Sequence, residues 1–255
     1  GIIGKVSNIE TTSAILKPAG GKLWHFDTGL VSTDGIKPLD GSVATLSPGE
    51  GRFGGAVAVE EGTENLIQNG DAEGGYIWWE SYNNGWIIEE QIVKNGKKSF
   101  RCNSGYYGGL RSPLIPIDPT KPLCLSYDIY RVVGEGWWTM RWYSDDGTDL
   151  GFLGNIQIPT GPRGVWERRS MIFRPEDYPV GTAKCRVFLL RRGNADSPDD
   201  IIYDNIQLEQ KPFATSFVDG TRPGGNLAYD TREIGITPEG DWTILGWYKK
   251  NAKQS

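Results

Sequence analysis

Two stretches of the chain concentrate side chains suited to holding a flat, hydroxyl-rich ligand. Tyr76, Trp78, Trp79, Tyr82, Trp86, Tyr106 and Tyr107 fall in one glycine-rich region, and Trp137, Trp138, Trp142 and Tyr143 in a second. An aromatic face packs well on the C–H face of a pyranose ring, while the Tyr hydroxyl and Trp N–H keep a polar edge for sugar hydroxyls. Ten tryptophans in 255 residues exceed what one small core needs, so part of this set is expected at a surface. If 137–143 is extended, alternation sends Trp138, Met140 and Trp142 to one side and Trp137, Thr139, Arg141 and Tyr143 to the other. An unpaired guanidinium is costly to bury, so the set with Arg141 is the expected wet face. Arg191 and Arg192 end an apolar segment and offer bidentate donors to sugar hydroxyls or uronate carboxylates. A solvated strand end is the plain alternative for those two. The candidate carbohydrate-binding residues are Trp78, Trp79, Tyr106, Tyr107, Trp137, Arg141, Tyr143 and Arg191.

Catalysis finds less to work with. The one histidine, His25, lies in the aromatic segment Leu23-Trp24-His25-Phe26-Asp27 without a nucleophile elbow, and reads as structural. Imidazole metal clusters are therefore excluded. Cys102, Cys124 and Cys185 form no C-x-x-C pair, which argues against structural zinc. They read as small buried thiols, with room for one disulfide. Glu239-Gly240-Asp241 begins like the E-x-D-x-x-E strand of jelly-roll glycosidases, but Ile244 stands where the third acid belongs. The doublets Glu89-Glu90, Asp145-Asp146 and Asp199-Asp200 lie in or beside turns, where adjacent side chains diverge rather than flank one bond. Gly49 to Gly54 satisfies G-x-G-x-x-G, yet Ala56-Val57-Ala58-Val59 reads as strand where a dinucleotide site needs a helix. No enzymatic activity is expected. A net charge of −5 argues against nucleic acid as the main partner. No apolar run approaches the ~18 residues of a membrane span, and no leader-like pattern follows Gly1.

The elements that must position the aromatic set are strands. Thirty-five glycines and fifteen prolines punctuate the chain, and no helical period survives three turns. Short β-branched or aromatic runs at 55–59, 123–133, 137–143, 166–173, 185–192 and 201–208 are separated by turn signals such as Gly134-Glu135-Gly136 and Asp145-Asp146-Gly147. The short Pro175-Glu176-Asp177-Tyr178 segment is the helical candidate. The pattern predicts an all-β fold, an antiparallel jelly-roll β-sandwich with additional flanking strands. Boundaries near 64 and 211 give an N-terminal β segment at 1–64, a jelly roll at 65–211, and a linker with a C-terminal β segment at 212–255. The two flanks are expected to pair with each other.

The motif Asn65-Leu66-Ile67-Gln68-Asn69-Gly70-Asp71-Ala72-Glu73, the turn Lys94-Asn95-Gly96-Lys97-Lys98-Ser99-Phe100-Arg101 and the closing Ile201-Ile202-Tyr203-Asp204-Asn205-Ile206-Gln207-Leu208-Glu209 resemble a carbohydrate-binding module of the family 4 and 9 type, within the galactose-binding-like jelly rolls. Ala72 departs from the aromatic residue usual there. The resemblance implies a structural calcium ion, Ca2+, bound by the side chains of Glu73 and Asp204 with backbone carbonyls near Asp71 and Lys97. Phe26-Asp27, Gly51 to Val57 and Asp241 to Tyr248 resemble pieces of a laminin-G or concanavalin-A-like lectin. Phe213 to Pro223 is similar to a linker of phage tail and virion proteins. Together these imply a non-catalytic module on a virion or in an extracellular assembly, attaching to a polysaccharide or cell-surface glycan. The alternative is a structural sandwich that meets virion proteins or forms a homo-oligomer such as a trimer. The chain is expected to be an excerpt of a longer protein.

Overall fold

Short apolar runs broken by glycine and proline become strands here because each buries one side against a second layer and turns before it can lengthen. A computed structural model describes residues 30, 35–39, 44–51, 54–82, 85–103, 108–191, 199–227 and 229, with the backbone alone at 45–51, 54–56, 58 and 191. The strands in chain order are β1 (Thr45–Gly51), β2 (Gly54–Ala58), β3 (Thr63–Glu64), β4 (Glu80–Tyr82), β5 (Trp86–Glu89), β6 (Ser99–Cys102), β7 (Gly108–Arg111) and β8 (Ile115–Pro116). They continue with β9 (Leu123–Val133), β10 (Trp137–Tyr143), β11 (Asp149–Phe152), β12 (Ile156–Gln157), β13 (Trp166–Phe173), β14 (Lys184–Arg191), β15 (Asp200–Glu209) and β16 (Thr221–Arg222). One 3-10 turn spans Pro175–Asp177.

The chain divides into two compact units, one of residues 1–62 with 223–252, the other centred on 63–222. In the first, β1 and β2 form an antiparallel hairpin, Pro38 bridges Tyr229, and the Tyr229 hydroxyl donates to the Leu30 carbonyl at 2.7 Å. His25, the lectin-like Phe26-Asp27 and Asp241 to Tyr248, and the glycosidase-like Glu239 to Ile244 lie outside the described residues.

The second unit is the expected antiparallel jelly-roll sandwich. One sheet has the order β13-β9-β15-β6-β5; the other has the order β11-β10-β14-β7-β4, with β12 added on β10 and β8 on β14. The chain crosses between the sheets from β9 to β10, and again from β13 to β14 to β15. Leu123, Leu125, Tyr127 and Ile129 of β9 and Ile201 and Tyr203 of β15 face Trp138, Met140 and Trp142 of β10 and Cys185, Val187 and Leu189 of β14 in one core. Trp138 and Trp142 both meet Phe173 edge-on, at 5.8 and 5.7 Å between centroids. A bulge between Asp204 and Gln207, with Asn205 at φ 50°, reverses the parity of β15, so Ile206 and Leu208 also point inward.

Along β15 the outer face of the five-stranded sheet is buried as well. Gln207 accepts the Val218 N–H at 2.8 Å, and Glu209 accepts the hydroxyls of Thr63 and Thr215 at 2.5 and 2.7 Å. The linker-like segment thus lies along β15. Gly70 passes so close that a Cβ there would stand 2.0 Å from the Ile206 carbonyl oxygen. The allowance for a disulfide is not realised: the three cysteines are free and buried. Burial pushes the Cys124 thiol up to about 12.

Candidate functional site

The five-stranded sheet is covered on its outer side along β15, while Arg168 and Ser170 of β13 stay exposed; the outer face that gathers rings and guanidinium groups is that of the seven-stranded sheet. Its composition follows from register. Across one row stand Tyr82, Gly109, Leu190, Trp137 and Gln157; across the next, Glu80, Arg111, Phe188 and Thr139; then Arg186, Arg141 and Phe152. Lys184, Tyr143 and Asp149 make a fourth row. The alternation along β10 is the one its sequence predicts, with Trp138, Met140 and Trp142 in the core and Trp137, Arg141 and Tyr143 part-exposed. Thr139 is on the outer side but buried at 5% exposure, because the long side chains around it close over it.

Aromatic rings and guanidinium groups interleave on this face. Arg111 lies over the Tyr82 ring at 5.9 Å, Arg141 over Phe152 at 5.4 Å, and Arg186 over Tyr143 at 5.8 Å. Such stacking holds the rings, of which Phe152 is 54% exposed and Tyr82 and Tyr143 are part-exposed. Tyr82 leans edge-on to Phe188, 6.4 Å between centroids. It can do so because Gly109 lies beneath it: a Cβ there would fall 2.4 Å from the ring. Tyr82, Thr139, Arg141, Phe152, Asn155, Phe188 and Leu190 enclose a shallow hollow of about 140 Å³. A larger hollow of about 220 Å³ lies beside the 3-10 turn, lined by Pro122, Ile172, Arg174, Pro175, Glu176 and Pro212. It offers no ring for stacking, so the smaller one is the better candidate.

The two acids on the face are engaged. Glu80 holds Arg111 through two hydrogen bonds, of 2.8 and 2.5 Å, which keep its carboxyl below the usual carboxylate range. Asp149 accepts from Arg141 at 2.5 Å. Exposed pairs of this kind add little to stability, so their main effect is to fix the guanidinium planes.

The other sequence candidates fare differently. Trp79 is a core residue at 5% exposure, its indole N–H donating to the Asn69 carbonyl at 3.1 Å, and its ring is unavailable for stacking on a sugar. Trp78 packs against that core, 5.5 Å from Trp79 between centroids, with a left-handed backbone at φ 77°. Neither belongs to the sheet face. Tyr106 and Tyr107 lie outside the described residues. The backbone of Arg191 pairs with Gly108, and its side chain is outside the described set, as is Arg192. Sequence reasoning missed Tyr82, Phe152, Phe188, Arg111 and Arg186 as members of one surface. The period-2 spacing of Arg186, Phe188 and Leu190 was the available signal, but only register joins it to β10 and β7.

The carboxylates expected to hold calcium accept backbone N–H groups in this structure. Asp204 is fully buried, and its carboxylate accepts the N–H groups of Lys94 at 2.9 Å, Asn95 at 3.3 Å and Asn205 at 2.7 Å. Glu73 accepts those of Lys97 and Lys98 at 2.5 and 2.8 Å, and Asp71 accepts that of Glu73 at 3.3 Å. These N–H groups take both oxygens of Asp204 but one oxygen each of Glu73 and Asp71. Among the described residues no group of three or more His, Cys, Asp or Glu is arranged for a metal. Hydrogen bonds to the 94–98 turn tie Glu73 near the start of the sandwich and Asp204 near its end to one segment.

No family model and no curated protein matches the chain. Among solved structures it is similar to a Family 16 carbohydrate-binding module, at 19% identity and a TM-score of 0.43, over 56% of this chain and 99% of that one. It is similar to the Family 11 module of Lic26A-Cel5E of Clostridium thermocellum, at 20% identity and a TM-score of 0.41, over 61% of this chain and 98% of that one. A third similarity is to the enzymatically active domain of tailspike protein 4 of bacteriophage CBA120, at 12% identity and a TM-score of 0.45, over 56% of this chain. There the match spans 21% of the tailspike chain. At these scores the likeness assigns no residue a role.

Proposed function

We propose that this protein is a non-catalytic glycan-binding module whose ligand lies across the outer face of the seven-stranded sheet. The observation that carries this reading is the convergence of Tyr82, Trp137, Tyr143 and Phe152 with Arg111 and Arg141 on one sheet face, which holds a shallow hollow lined by Tyr82, Arg141 and Phe152. Rings supply stacking surface, and the fixed guanidinium planes supply directional donors to hydroxyls. A shallow hollow of this size holds little more than one sugar, so affinity would come from repetition along a polymer or across copies of the chain. The absence of catalysis is part of the proposal. Glycosidic hydrolysis needs two carboxylates across one bond, one of them able to give up a proton, whereas Glu80 and Asp149 are each committed to an arginine.

The setting we propose is a virion or extracellular assembly that attaches to cell-surface glycan. It rests on the resemblance of Phe213 to Pro223 to a phage-protein linker. Affinity electrophoresis through gels containing wall, capsule and plant polysaccharides tests the binding reading. Retardation by at least one polymer, lost in Trp137→Ala, supports it; unretarded migration in all of them, for a multimeric form as well, overturns it. In that event light scattering would decide whether the same face joins copies of the chain.

A further inference from the structure

Arg141 and Arg186 occupy directly opposed positions on β10 and β14. Side chains in such a pair project from Cβ atoms about 5 Å apart, and like charges there destabilise a sheet. Among the described residues one acid answers the two cations: Asp149 pairs with Arg141, whereas Arg186 makes no hydrogen bond and no ion pair. Arg186 rests on the Tyr143 ring and has Glu80, itself bound to Arg111, as its acidic neighbour. The Nε atoms of both Arg141 and Arg186 are buried without a partner. A bound acceptor would instead meet the exposed ends of the guanidinium groups, since Arg141 and Arg186 are both part-exposed.

We propose that the glycan is acidic, a uronic-acid polysaccharide whose carboxylate is received between Arg141 and Arg186 while its ring lies on the neighbouring aromatic side chains. This deepens the glycan-binding reading and rests on it. Arg186, the one cation of the face without an acid among the described residues, matches one negative charge per sugar. It does not match the dense charge of a nucleic acid, which a chain of net charge −5 would also disfavour. A planar carboxylate fits the fork of a guanidinium, as Glu80 already shows on Arg111.

Titration calorimetry with polygalacturonate, alginate and hyaluronate, each beside its carboxyl-reduced neutral counterpart, tests the proposal. At least one acidic polymer is expected to bind tenfold or more tighter than its reduced form, with the margin shrinking as salt rises. Arg186→Gln should bring the two affinities together, while Arg174→Gln, off the face, should preserve the margin. Equal binding of acidic and reduced polymers overturns the acidic ligand and leaves glycan binding standing. Binding of neither overturns both. Unchanged discrimination in a folded Arg186→Gln protein, checked by its melting curve, overturns the role of the arginine pair.

Discussion

Asn65 donates its side-chain amide to the carbonyl of Ile206 at 3.1 Å, joining the start of the sandwich to the residue that resumes inward alternation after the bulge in β15. The same amide reaches the Val218 carbonyl at 3.2 Å, and its oxygen accepts the N–H groups of Ile67 and Leu208, each at 3.0 Å. One side chain thus ties together the opening segment, the closing strand and the segment that covers it.

Asn65→Ala is expected to cost about 3 kcal/mol, since it strands several buried backbone groups worth about 1–3 kcal/mol each. For a domain of this size that lowers the melting temperature by roughly 6–12 °C. A shift below about 2 °C in a thermal melt would show that the tie is dispensable.

Arg131 is fully buried and depends on acids around it: it pairs with Glu167, reaches Glu135 at 3.3 Å, and donates to the Pro159 carbonyl at 3.0 Å. Burial alone would raise the Glu167 carboxyl, but hydrogen bonds from Arg131 and Arg169 outweigh it and hold the group below its ordinary 4.5. A depressed folded pKa gives stability that is present above 4.5 and is lost as pH falls through the lower folded value. Glu167→Gln should therefore cost about 3 kcal/mol at pH 7, with the gap from the parent protein narrowing below pH 4.5. Urea melts from pH 7 to pH 3 read this directly, and a gap that stays constant over that range would contradict it.

Because N–H groups occupy both oxygens of Asp204 and one of Glu73, chelation should leave the melting curve in place. Differential scanning calorimetry with EDTA and then with excess calcium is the measurement. A fall of several degrees in EDTA, reversed by calcium, would mean that an ion displaces those hydrogens.

Gly109 lets the Tyr82 ring lie against the sheet. Gly109→Ala should push the ring aside and weaken glycan binding several-fold, with a smaller effect on melting because Tyr82 sits at the edge of the sheet. Equal affinity in a protein that melts like its parent would remove Tyr82 from the site.

The strand-and-turn pattern and the split of Trp137 to Tyr143 into two faces were legible in the sequence, since period-2 alternation is a local property. The misplacement of Trp79 has a local cause too. Residues 69–79 form a series of tight turns with left-handed backbone at Asn69, Ala72 and Trp78, so no alternation marks which ring is buried. The pairing of Arg141 with Arg186, and of Tyr82 with Gly109 and Leu190, depends on register between strands distant in sequence. Only closure of the sandwich sets that register. The bulge at Asn205 is a further case: nothing in Asp204-Asn205-Ile206-Gln207 alone announces the change of parity.

The central claim is that a glycan stacks on the outer face of the β10 sheet. Nitrogen-labelled protein titrated with a polysaccharide that retards it in a gel would report each indole N–H separately by NMR. The Trp137 resonance is expected to shift and saturate with ligand, while those of the core residues Trp138 and Trp142 hold their positions. Saturation of binding with the Trp137 resonance unmoved would contradict the account.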